Sequence, residues 1–88
     1  MNETQQQPLN FEPYPPNQFK PGSQNYRVYE RLKRGPVTNI EIVRQMFVLN
    51  STGRISEVRE YLKNYAMDVK AKPLPEKGKG QWEYRIAG

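Results

Sequence analysis

At Met67 the apolar residues of this chain change their spacing. Before it they recur every three or four positions: Val28, Tyr29 and Leu32, then Ile42, Val43, Met46 and Phe47, then Ile55, Val58 and Leu62. After it they alternate, first as Met67, Val69 and Ala71 and then as Trp82, Tyr84 and Ile86. The first spacing gives each of three helices one buried stripe, and the second gives each of two strands one buried face. The predicted fold class is therefore α+β, mainly α, with three helices and a C-terminal hairpin.

The helix ends are marked by the residues that terminate them. Ser23 can cap a helix from Gln24 to about Arg34, and Gly35-Pro36 then supplies a left-handed position and a stop. Thr38-Asn39-Ile40-Glu41 reads as a capping box in which Thr38 and Glu41 satisfy each other's free N–H groups. The helix it opens is expected to run to about Phe47, with Val37 and Ile42 in the staple positions. Asn50, Ser51 and Thr52 can each cap a third helix, from about Thr52 to Asn64. Gly53 near its start marks either a weak spot or a close approach of backbone, phosphate being one candidate. Pro73 to Gly80 is read as irregular, a long Lys- and Gly-bearing tip between the strands.

Upstream of Ser23 the pattern fails. Asn2 to Gln7 is polar without period, and Pro8, Pro13, Pro15, Pro16 and Pro21 interrupt any helix or central strand. Residues 1–22 are expected to be a disordered or extended Pro-rich arm, and residues 23–88 the domain. Within the arm, residues 1 to about 10 read as a mobile leader. Phe11, Tyr14 and Phe19 either form a docking motif or fold back on the domain, with local packing favoured for Phe19.

The 88 residues carry 14 Lys plus Arg against 9 Asp plus Glu, for a net charge of +5. Such a balance suits a polyanionic partner, although it is also ordinary for solubility. Cysteine and histidine are both absent. That excludes disulfides, zinc-finger ligand sets, Cys nucleophiles and the commonest acid–base side chain. The carboxylates are scattered, and Gly78-Lys79-Gly80 lacks the spacing of a nucleotide-binding loop. No catalytic residue, metal ligand or cofactor is expected, and the chain is not read as an enzyme. No apolar run approaches membrane-spanning length, so a cytoplasmic, nucleoid-associated location is expected and no membrane partner.

Two short helices joined by about four residues, the second with a polar start, match a helix-turn-helix; any compact three-helix core can use such a turn. Adding the hairpin gives the order of a winged helix-turn-helix domain. From Ser23 onward the chain resembles short winged helix-turn-helix proteins of bacteriophages, prophages and their hosts. The resemblance rests on Gln24-Asn25-Tyr26-Arg27, Leu32-Lys33-Arg34-Gly35, Val37-Thr38 and above all Arg54-Ile55-Ser56-Glu57-Val58-Arg59, with the closing Trp82-Glu83-Tyr84-Arg85-Ile86. Where that family has a glycine-containing turn before the first wing strand, this chain has Asn64-Tyr65-Ala66. The resemblance implies duplex DNA binding, with the arginine–isoleucine–serine block in the helix that enters the major groove.

The third helix is not lined with arginines. With Ile55, Val58 and Leu62 inward, its far side carries Gly53, Ser56, Glu57, Glu60 and Asn64. Base contact is therefore expected from its N-terminal end, through Asn50, Ser51, Thr52, Arg54 and Ser56. Phosphate contact is assigned to Lys77, Lys79 and Arg44, with Lys63 and Lys70 behind them. The expected function is sequence-specific or semi-specific binding of double-stranded DNA, in transcriptional regulation of a phage or mobile element. The alternative is a protein-docking module of a replication, recombination or regulatory complex. In either case a homodimer or protein partner could use the arm or exposed tyrosines, Tyr29, Tyr61 and Tyr65.

Overall fold

The computed structural model describes residues 14–88. The chain runs α1 (Gln24–Lys33), β1 (Val37–Thr38), α2 (Asn39–Arg44), α3 (Ser51–Lys63), β2 (Asp68–Pro73), a 3₁₀ turn (Pro75–Lys77) and β3 (Trp82–Ala87). Among these residues the fold is α+β, with three α-helices and one antiparallel sheet of order β1-β3-β2. The expected leader over residues 1 to about 10, and Phe11, lie outside the described residues.

α1 forms as its caps dictate. Ser23 Oγ accepts from the Tyr26 N–H at 3.1 Å, and Gly35, at φ +136°, follows the last turn. Its inner face, Val28, Tyr29 and Leu32, packs with Ile55, Val58 and Leu62 of α3 in one core. Only half of the expected capping box is present. Thr38 Oγ1 accepts from the Glu41 N–H at 3.0 Å, but the Glu41 carboxylate turns to Arg31, at 2.7 Å. A charge-assisted pair with a guanidinium outweighs a bond to one backbone N–H. Thr38 itself belongs to β1, a two-residue strand whose partners are Tyr84 and Glu83. Two residues are too few to show a period, so β1 is not legible from residue spacing.

α2 ends at Arg44, about one turn short of the expected Phe47. Phe47 instead takes φ +60° and stands 76% exposed, while Val48 is fully buried. The chain reverses at Phe47 and Val48 takes the core position that helical spacing assigns to Phe47. The Val48 N–H closes the turn on Ile42 O at 3.1 Å.

α3 ends where its left-handed residue falls. The Met67 N–H bonds to Leu62 O and the Ala66 N–H to Lys63 O, both at 3.1 Å, with Ala66 at φ +58°. This is a Schellman cap, and Ala66 fills the position that favours glycine.

The hairpin alternates as expected near the core and loses its burial toward the tip. Val69 and Tyr84 are buried, Met67 and Ile86 partly so, but Ala71 is exposed and Trp82 is 41% exposed. Beyond the Ala71–Tyr84 pair, Lys72, Pro73 and Trp82 are open to solvent. The tip is also more regular than expected: Pro75–Lys77 makes its 3₁₀ turn, and Leu74 is buried beneath it.

The ordered body begins before Ser23. Tyr29 donates its hydroxyl to Pro15 O at 2.6 Å, and Tyr61 donates to Pro16 O. Asn17 Nδ2 donates to Tyr26 O and to Glu30. Phe19 meets Tyr29 and Tyr61 edge-on, at centroid distances of 6.3 and 5.2 Å. Residues 14–20 are thus an extended strap across α1 and α3, so the expected boundary at residue 23 moves upstream. Burial, with Tyr65 beside it, pushes the Tyr61 hydroxyl up to about 12. Tyr29 is fully buried, which removes it from the surface assigned to a partner, whereas Tyr61 is half-buried and Tyr65 is exposed.

A left-handed Cβ costs roughly 1–2 kcal/mol, against the smaller entropic penalty of glycine. Ala66→Gly is therefore expected to raise stability by about 0.5–1 kcal/mol, read as a higher urea midpoint at unchanged m-value. A lower midpoint would contradict this account of the α3 cap.

Candidate nucleic-acid interface

The N-terminal end of α3 brings Asn50, Ser51, Thr52, Arg54 and Ser56 together, but most of these side chains already have internal work. Asn50 caps the helix, its Oδ1 accepting from the Gly53 N–H at 3.0 Å. Ser51 is 8% exposed and cannot reach a groove from there. Thr52 hydrogen-bonds Tyr84, whose hydroxyl is raised by burial and drawn back by that bond. Arg54 is half-buried, its Nε enclosed without a hydrogen-bond partner, and it has no carboxylate partner among the described residues. Ser56 is exposed. Asn50, Thr52 and Ser56 are exposed and Arg54 is partly so, which leaves the Asn50 amide and the Ser56 hydroxyl the least engaged of the set.

Gly53 has a local explanation. A Cβ at that position would collide with the Asn50 side chain that caps the same turn. The close approach is made by the cap, and no phosphate is needed to explain the glycine.

Of the expected outer face of α3, Ser56, Glu57, Glu60 and Asn64 are exposed and Gly53 is half-buried. Lys63 pairs with Glu60 at 3.0 Å, and it lies roughly 18 Å along the helix from Ser51 at 1.5 Å per residue. It belongs to the opposite end of α3 from the polar cluster. Arg59 bonds Asp68 at 3.0 Å, and Lys70 reaches the other oxygen of the same carboxylate at 4.0 Å. The backbone N–H of Val69, followed by Arg59 and Lys70, holds the Asp68 carboxyl below its ordinary range, against a smaller opposing effect of burial.

Lys77 and Lys79 differ from these. Both are exposed, and neither has an acidic partner among the described residues. The same is true of Arg44 at the end of α2. The tip lysines are carried on a shaped loop rather than a slack one. Leu74 N–H bonds Gln81 O at 2.9 Å, Gln81 Nε2 bonds Lys77 O at 2.5 Å, and Gly78 and Gly80 take φ of +116° and +74°.

The basic face of α1 borders an open groove of about 640 Å³ that includes Tyr14, Tyr26 and Met46. Its cations are largely spoken for. Arg27 donates to Met46 O at 2.6 Å, Arg31 binds Glu41, and Lys33 sits 3.0 Å from Glu30 and over the Tyr29 ring. Burial alone would raise Glu30, but the bonds from Asn17 and Lys33 and the charges of Lys33 and Arg34 lower it. The reading of this face as structural is consistent with these pairings.

Sequence reasoning missed two surface features. Phe47 and Leu49, 76% and 84% exposed, project from the turn between α2 and α3. Phe47 follows helical spacing into the core until the left-handed turn is known, so only the structure reveals it. Asn39 is the other: its side chain leaves α2 to bond the base of the hairpin tip. No known protein family, curated protein or solved structure matches the chain. Among the described residues no helix is long and apolar enough to cross a membrane.

Asp68 supplies a pH test. Its folded pKa lies below the unfolded value of about 3.9, so its stabilisation is present above that pH and lost as pH falls through the folded value. Asp68→Asn should therefore destabilise the protein at pH 7, with the difference from wild type shrinking in strongly acidic solution. Urea unfolding at the two pH values measures this, and a difference independent of pH would contradict it.

Proposed function

We propose that the domain is a winged helix-turn-helix and that it binds duplex DNA, with transcriptional control of a phage or mobile element as its setting. The observation that carries the reading is the pair of unneutralised lysines, Lys77 and Lys79, on the ordered hairpin tip. The topology supports it: a helix–strand–helix–helix order, with β1 added to the hairpin as β1-β3-β2, joins the tip and the start of α3 through one sheet. On this reading the wing supplies phosphate contacts through Lys77 and Lys79, and Arg44 adds a third. Asn50, Arg54 and Ser56 approach base edges from the N-terminal end of α3. Ser51 and Thr52 serve the fold, and Lys63 and Lys70 stand outside the contact set. Glu57 and Glu60 on the outer face keep nonspecific attraction low, which favours selective over indiscriminate binding. No catalytic step enters this function.

Each phosphate contact adds about 0.9 to the slope of log affinity against log salt. Lys77→Ala with Lys79→Ala is expected to lower that slope by about 1.8 and to weaken duplex binding at low salt by tenfold or more. Fluorescence anisotropy at several salt concentrations reads both. An unchanged affinity and slope would remove the main support for DNA binding.

Phe47 and Leu49 favour a second reading, a winged helix used to dock protein. Two adjacent exposed apolar side chains contribute nothing to phosphate attraction, and Phe47 stands in a backbone region that disfavours bulky residues. With DNA as the ligand, Phe47→Asn combined with Leu49→Asn should leave duplex affinity within about twofold, or 0.4 kcal/mol. A pronounced loss of binding in that variant, with the fold intact, would place this turn in the DNA contact and remove the separate docking role.

A further inference from the structure

The tip lysines hang beyond the point where the sheet can hold them. The β1–β3 ladder ends with Thr38 opposite Glu83, and the β2–β3 ladder ends with Pro73 opposite Trp82. Asn39, the next residue after β1, has already turned into α2. Its side chain returns to the β3 edge that its backbone leaves. Asn39 Nδ2 donates to Gly80 O at 2.8 Å, and Asn39 Oδ1 accepts from the Trp82 N–H at 3.0 Å. A carboxamide offers donor and acceptor on one face like a peptide group, so this one side chain holds the Trp82 N–H and the Gly80 carbonyl together, in place of any further β1 backbone bond.

We propose that Asn39 is the positioning residue of the tip, fixing it against α2 so that Lys77 and Lys79 meet the DNA backbone as a preset pair. This rests on the DNA-binding reading. The two bonds can orient the whole tip because the tip is internally tied. Gln81, between the two bonded residues, accepts from the Leu74 N–H and donates to Lys77 O. Trp82 and Gly80 are gripped from one side, and the 3₁₀ turn of Pro75–Lys77 is held through Gln81 from the other. A preset loop loses little conformational freedom on binding, whereas a loose one must be ordered at the cost of affinity. Asn39 would thus act on DNA without touching it.

The experiment pairs amide hydrogen exchange on the free protein with duplex titration. In Asn39→Ala, amides from Lys77 to Trp82 are expected to exchange about tenfold faster, with those of the α3 core unchanged. Asn39→Asp keeps the acceptor, so the Trp82 amide should stay protected; that variant guards against the loss of α2 in Asn39→Ala. Duplex affinity and salt slope should fall in Asn39→Ala toward those of the variant with both tip lysines replaced. Adding Asn39→Ala to that lysine variant should change neither further. A role confined to global stability would leave the salt slope alone. Unchanged tip exchange, or faster exchange with the wild-type slope retained, would overturn the proposal. If the wild-type protein has no salt-dependent duplex affinity while tip exchange still rises, the DNA-binding reading fails and the clamp remains.

Discussion

The structure depends on β3 being hydrogen-bonded along both edges. Its six residues pair with all of β2 on one side and with Val37 and Thr38 on the other. Remove the second edge and the hairpin would be a two-stranded ribbon, marginal by itself in water. With it, Tyr84 is drawn into the helical core, where it meets the start of α3 through Thr52. Backbone pairing of only two residues therefore couples the helical half of the molecule to the hairpin half. Those two residues can do so because Val37 is buried and Thr38 opens α2, which fixes both ends of the strand.

The parts of this fold that were legible in the sequence are those in which one periodic rule runs unbroken for two turns or more. α1 and α3 follow from Val28, Tyr29 and Leu32 and from Ile55, Val58 and Leu62. The start of α1 follows from Ser23, and that of α3 narrows to Asn50, Ser51 or Thr52, of which Asn50 is the cap. What escaped were places where a single backbone angle or a competing charge decided the outcome. Phe47 continues a helical stripe on paper, but one positive φ hands its place to Val48. Glu41 completes a capping box on paper, but Arg31 lies nearer in space. The site was legible in residue type and less so in availability. Ser51 and Thr52 have suitable side chains, but Ser51 is buried and Thr52 bonds Tyr84 of β3, which lies thirty residues away in the chain.

Charge is distributed by the same logic. Cations within reach of an acid on a neighbouring element, such as Arg31 and Arg59, stitch the fold together. Those at the extremities, Lys77, Lys79 and Arg44, keep their charge outward. A net charge of +5 thus overstates how evenly the surface is positive, since several cations are paired within the fold.

The strap over α1 and α3 has a consequence for how such a chain can vary. Tyr29 and Tyr61 grip Pro15 and Pro16 by their main-chain oxygens. An oxygen of this kind is present at every position of every polypeptide, so the two hydroxyls recognise an extended course rather than particular side chains. The prolines contribute by stiffening that course beforehand. Pro16 is exposed, whereas Pro15 is buried, Phe19 is read by its ring and Asn17 by its amide. Position 16 can therefore vary so long as the course is kept, because its oxygen is gripped and its side chain is exposed, while the buried Pro15 cannot be exchanged as freely.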